Sequence, residues 1–141
     1  MRCARTSLET PPEPTFESIE MTIKHVLIVE DSVTDSTSLS EILTRTGYTV
    51  TVAGSAEEGL GKVRSLQPDL VLMDVVLPGQ NGFQATRALA RDDATKHIPV
   101  IICSSKGQET DRVWGLRQGA RDYLVKPIRQ ADLLSRIAAL G

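Results

Sequence analysis

Residues 25–47, HVLIVEDSVTDSTSLSEILTRTG, decide the fold. Val26 to Val29 are four consecutive apolar residues ending in the acids Glu30 and Asp31. A run that short and continuous, not alternating, marks a strand buried on both faces. A helical pattern then covers about 33–46 and stops at Gly47, where a helix C-terminal glycine belongs. The unit repeats outward. Apolar runs at Tyr48 to Ala53, Leu70 to Asp74, Ile98 to Cys103 and Tyr123 to Val125 alternate with helical patterns at about 56–66, 82–92, 109–118 and 130–139. Ser55-Ala-Glu-Glu58 reads as a capping box, and Gly119 as a second C-terminal glycine. Five βα units with buried strands predict an α/β fold, a parallel sheet between helical layers.

The 141 residues are 40% hydrophobic and 24% charged, which suits one globular domain. The apolar runs Val26 to Val29 and Val75 to Leu77 fall far short of the ~20 residues that cross a bilayer. Two cysteines, Cys3 and Cys103, are too few for a disulfide framework. A soluble, cytoplasmic domain without membrane insertion is expected. The net charge of −2 resides in residues 1–21, where Arg2 and Arg5 face Glu9, Glu13, Glu17 and Glu20. The neutral remainder lacks the basic footprint of a nucleic-acid binder. Residues 1–22, with Pro11, Pro12 and Pro14 and few large apolar groups, predict a flexible N-terminal tail. The segment has no apolar h-region, and Met21 is an alternative start. Residues 23–141 form the predicted domain.

Ligands of open parallel sheets bind at the carboxyl ends of the strands. Those ends are Glu30-Asp31, Asp74, Ser104-Ser105 and Lys126-Pro127. Three carboxylates, two hydroxyls and one ammonium therefore share one edge. Clustered acids repel, and unaided some would keep their protons. A hard divalent cation removes the conflict, and Mg²⁺ (or Mn²⁺) suits one or two carboxylates with phosphate oxygens. An ammonium opposite it can hold a phosphoryl group. The chemistry implied is phosphoryl transfer to a carboxylate.

These residues, with spacings of 43, 30 and 22 between Asp31, Asp74, Ser104 and Lys126, resemble the site of response-regulator receiver domains of two-component signalling, over residues 24–140. Asn81 to Arg87 and Gln108 to Lys126 resemble more narrowly the stand-alone PilH-type regulators of type IV pilus twitching motility. The resemblance implies a flavodoxin-like sheet of five strands in the order 2-1-3-4-5 with five helices. It implies Asp74 as phosphoacceptor, with Asp31 ligating the metal directly and Glu30 directly or through water. Val76 would add only its backbone carbonyl. Ser104 and Lys126 would hold the phosphoryl group, Lys126-Pro127 would be a cis bond, and Tyr123 would be the switch aromatic. No further cofactor is implied. The implied partners are a chemotaxis-type histidine kinase and a downstream motility protein. No output domain follows before Gly141, so output is expected through protein contacts, with a phosphate sink for the same kinase as the alternative. A monomer is expected, a phosphorylation-dependent dimer being the other option. Such a domain is a phosphoacceptor that assists its own phosphorylation and dephosphorylation rather than an enzyme.

Two rival classes fit less well. A metal-dependent phosphatase with an aspartyl-phosphate intermediate would carry a second Asp two residues beyond the first, where Val76 stands. A flavin carrier could use Ser32, Thr34, Ser36 and Thr37, but Glu30 and Asp31 would repel the cofactor phosphate. Gly59-Leu-Gly61-Lys62 lacks the full phosphate-loop spacing. His25 and His97 lack ligand spacing, and Cys103 reads as inert core. Gly59 and Gly61 predict that the helix at 56–66 is the least stable. In the helix at 109–118, Val113 and Leu116 define a core-facing stripe, with Trp114 flanking it about 100° away. Resemblance sets this helix, with Tyr123 and the helix at 130–139, on the output surface, where Trp114 is the expected interface anchor, extended core being the alternative.

Overall fold

The computed structural model describes residues 23–140, so the segment expected to be a tail lies outside the described residues. Each apolar run becomes a strand whose alternate side chains feed opposite faces. β1 is His25–Val29, β2 Thr49–Ala53, β3 Leu70–Met73, β4 Val100–Ser104 and β5 Asp122–Val125. The helices are α1 Val33–Thr46, α2 Ala56–Leu66, α3 Gly82–Arg91, α4 Glu109–Arg117 and α5 Gln130–Leu140. All strand pairs are parallel, as the sequence pattern predicts, and their order is β2-β1-β3-β4-β5, as the family resemblance implies. β4 begins two residues after Ile98, the start of its apolar run, because Pro99 has no N–H to give a ladder.

Val26, Ile28, Leu72 and Ile101 pack under Leu39 and Leu43 of α1 and Leu133 and Ile137 of α5. Leu27, Val29, Val71 and Met73 pack under Val63 of α2 and Ala85 and Leu89 of α3. A smaller cluster of Val75, Ile102, Ala120 and Tyr123 is joined by Phe83 and Leu116.

Local signals set the helix ends. Ser32 caps α1, accepting from the Asp35 N–H at 3.3 Å, and Gly47 closes it at φ 111°. Ser55 accepts from the Glu58 N–H at 3.1 Å, but Glu58 reaches back one residue further than a full box, to the Gly54 N–H at 3.0 Å. In α4 the expected core stripe is wrong at one residue: Val113 is 38% exposed. The helix instead lies on β4 and β5 through Gly115, where a Cβ would stand 2.9 Å from both Ile102 Cδ1 and Tyr123 Cδ2. A glycine contributes nothing to an apolar stripe, so the contact face was invisible to periodicity. Leu116 is partly buried and Trp114 flanks the contact, 49% exposed.

Candidate functional site

The strands' carboxyl edge gathers the expected residues. Glu30 and Asp31 leave the end of β1, the first buried and the second exposed. Asp74, also buried, leaves central β3. One oxygen from each of the three carboxylates lies within 4.8 Å of the others. Lys126 enters from the end of β5, its N–H bonded to the Ser104 carbonyl at 2.8 Å and its bond to Pro127 cis, as the resemblance implies. Its Nζ donates to Glu30 Oε1 at 2.6 Å and Asp35 Oδ2 at 2.9 Å, and stands 3.7 Å from Asp74 Oδ1.

Burial, then the Glu30 charge, drives the Asp74 pKa up; Lys126 and the Val75 N–H, 2.8 Å from Oδ1, pull it back, leaving it at about 6. Burial alone would lower the Lys126 pKa, but its bonds to Glu30 and Asp35 and the charge of Asp74 outweigh that and hold the ammonium above its ordinary value. One ammonium thus serves a surplus of carboxylates. An all-oxygen donor set with excess negative charge, partly answered by protonation of Asp74, fits a hard divalent cation.

The backbone behind Asp74 is held by Gly82, the first residue of α3. Its N–H donates to the Val75 carbonyl at 2.8 Å, and any Cβ there would overlap the Asp74 carbonyl. Ser104 is fully buried at the end of β4, its hydroxyl accepting from the Lys106 N–H at 3.1 Å. Tyr123 is buried and donates its hydroxyl to the Lys106 carbonyl at 2.6 Å. Serine and tyrosine are therefore tied to one loop residue. Burial raises the Tyr123 pKa, so the phenol keeps its proton.

Glu30, Asp31, Asp74 and Lys126 are thus brought together, with Ser104 on the neighbouring strand and Tyr123 one hydrogen bond further out. Val76, two residues beyond Asp74, is 58% exposed. Trp114 stands away from the carboxylates, on α4. Burial pushes the Cys103 thiol up to about 12, which keeps it unreactive. His25 Nε2 is hydrogen-bonded with Thr51 Oγ1 at 2.8 Å. Asp35 and Lys106 escaped sequence reasoning. The only signal for Asp35 was its place in the first turn of α1, where an acid reads as a helix-dipole partner.

Residues 26–138 match the family model of the response regulator receiver domain. Protein PilH of Pseudomonas aeruginosa is 51% identical over 115 residues, 82% of this chain and 95% of that protein. A putative response regulator from Chloroflexus aurantiacus superposes with a TM-score of 0.79 at 32% identity, covering 84% of this chain and 99% of that one. A chain of the CheX-CheY-BeF3-Mg²⁺ complex from Borrelia burgdorferi does so at 0.78 and 30% identity, covering 83% and 88%.

Proposed function

The chain belongs to the response-regulator receiver family, and from that premise we propose that it accepts a phosphoryl group on Asp74 from a histidine kinase of a two-component relay. The observation that carries this reading is the Asp74 carboxylate itself, buried at the end of the central strand with Lys126 Nζ 3.7 Å away and a second carboxylate raising its pKa. An Asp74 oxygen attacks the phosphorus of a phosphohistidine. The P–N bond breaks, its electron pair returns to the imidazole nitrogen, which takes up a proton, and an aspartyl phosphate remains. Lys126, already poised among carboxylates, turns to the phosphoryl oxygens, and the Ser104 hydroxyl donates to one of them.

Glu30, Asp31 and Asp74, with the Val76 carbonyl, would hold Mg²⁺. The ion supplies charge neutralisation at the phosphoryl oxygens. Tyr123, released or retained by the loop that Ser104 also binds, carries the change to the surface of α4. The likeness to Protein PilH supports a place in type IV pilus twitching motility, with a chemotaxis-type kinase as donor and a motility protein as recipient. A relay fed by ATP operates in the cytoplasm, the proposed location.

Incubation with acetyl phosphate and Mg²⁺, followed by intact-mass spectrometry, tests the assignment. A gain of about 80 Da, one phosphoryl group, is expected for the native chain and not for Asp74→Asn. Labelling of that variant at the native level, or full labelling in excess chelator, would overturn the roles given to Asp74 and the metal.

A further inference from the structure

The C-terminal ends of α3 and α4 meet at the edge of the sheet opposite Asp74. Gly119, at φ 114°, comes so close that a Cβ there would stand 2.7 Å from the Ala90 Cβ. The approach leaves a cleft of about 340 Å³ lined by Arg87, Arg91, Arg117 and Gln118, with Ala90 and Gly119. None of the three guanidiniums has an ion pair or hydrogen bond with a side chain among the described residues. The acids that follow Arg91 are committed elsewhere, Asp92 to Arg64 at 3.1 Å and Asp93 to Lys96 at 2.9 Å, and Asp122, five residues after Arg117, holds Arg136 at 2.6 Å. Gln118 is only 8% exposed, yet its side-chain amide has no hydrogen-bond partner among the described residues.

Three like charges crowded on one cleft repel, and a buried amide without a partner is costly. The dipoles of two helix C-termini offset part of the first effect, but they do nothing for Gln118. We propose that this cleft binds a phosphate-bearing small molecule. Its anionic oxygens would take the guanidinium forks, which match phosphate geometry, and the Gln118 amide would complete the site. A single carboxylate would leave guanidiniums unpaired, whereas a phosphate dianion or pyrophosphate engages all three. The cleft volume lies at the small-molecule end of ligand pockets.

The test is a ¹H–¹⁵N correlation titration of the full chain with pyrophosphate, without Mg²⁺ and against chloride at equal ionic strength. Saturable shifts are expected at the amides of Arg87, Arg91, Arg117 and Gly119 and at the Gln118 side-chain amide. Arg91→Gln and Arg117→Gln should each weaken binding about tenfold, the loss of one charge-assisted bond, with circular dichroism unchanged because both side chains are exposed. Shifts that fail to saturate, that centre on Lys126 and Ser104, or that persist at native affinity in both variants would overturn the proposal. A phosphoserine peptide forms a second arm: tighter binding than pyrophosphate would reassign the phosphate to a protein partner and overturn the small-molecule claim.

Discussion

Asp74 keeps its proton up to about pH 6 in the folded chain, against an ordinary carboxyl value of 3.8. Between those values the native state binds more protons than the unfolded chain, so the stability this group contributes falls as pH rises through the window. At pH 7 the folded protein carries a carboxylate it would rather protonate. Asp74→Asn should therefore stabilise the metal-free protein at pH 7 by about 3 kcal/mol, a gain that shrinks towards zero as pH falls below about 4. Urea midpoints at the two pH values check this, and a variant less stable at pH 7 would contradict it. Metal ligands must shed their protons, so the apparent Mg²⁺ affinity of the native chain should weaken as pH falls below about 6, readable by calorimetry. A neighbouring position bears on lifetime: Val76 offers no polar group to orient an attacking water. Val76→Asn should speed loss of the phosphoryl group several-fold in a phosphate-release assay; an unchanged decay would count against this. Strand-end position was enough to pick out Glu30, Asp31, Asp74, Ser104 and Lys126 in the sequence. Asp35 was not legible, because its bond to Lys126 joins residues 91 apart and depends on how far a lysine side chain reaches across the edge.

Helix α2 shows why an element's propensity and its packing must be weighed separately. Its two glycines look alike in the sequence, each lowering helix propensity by about 1 kcal/mol relative to alanine. Gly59 faces β1, where a Cβ would stand 2.7 Å from Val29 Cγ2, whereas Gly61 has nothing within 4 Å. The two substitutions should have opposite signs. Gly61→Ala should stabilise the chain by about 0.5–1 kcal/mol, and Gly59→Ala should destabilise it by about 1–3 kcal/mol through overpacking against a buried β-branched side chain. Denaturant unfolding of both variants decides the matter, and equal gains would mean that Val29 moves aside freely. Helix and strand boundaries were legible to within a residue or two because Ser32, Ser55 and Gly47 mark them chemically. The face of α4 was not, because Gly115 makes its contact by lacking a side chain.

At the scale of the whole molecule, alternating runs of strand and helix implied parallel pairing, but periodicity reports faces, not neighbours. The order 2-1-3-4-5 was legible only through the family resemblance. The arginine cleft was hidden for a similar reason: Arg87 and Arg91 share a helix face by spacing, but Arg117 joins them only where Gly119 lets α4 approach α3. The same light packing bears on signalling. With Gly115 in the seam, α4 rests on β4 and β5 with little buried side chain of its own, and the loop leading into it is tied to Tyr123 through the Lys106 carbonyl. A rearrangement at Ser104 therefore has a short mechanical path to α4. Trp114, the only tryptophan of the chain, sits half exposed on that helix and reports on its surroundings. Beryllofluoride with Mg²⁺, a phosphoryl mimic, should change Trp114 fluorescence saturably in the native chain and not in Asp74→Asn. Tyr123→Phe, which removes only the hydroxyl that holds Lys106, should bind the mimic but return a smaller change. Emission indifferent to the mimic in the native chain, or a full response in Tyr123→Phe, would sever the proposed path between the carboxylate site and α4.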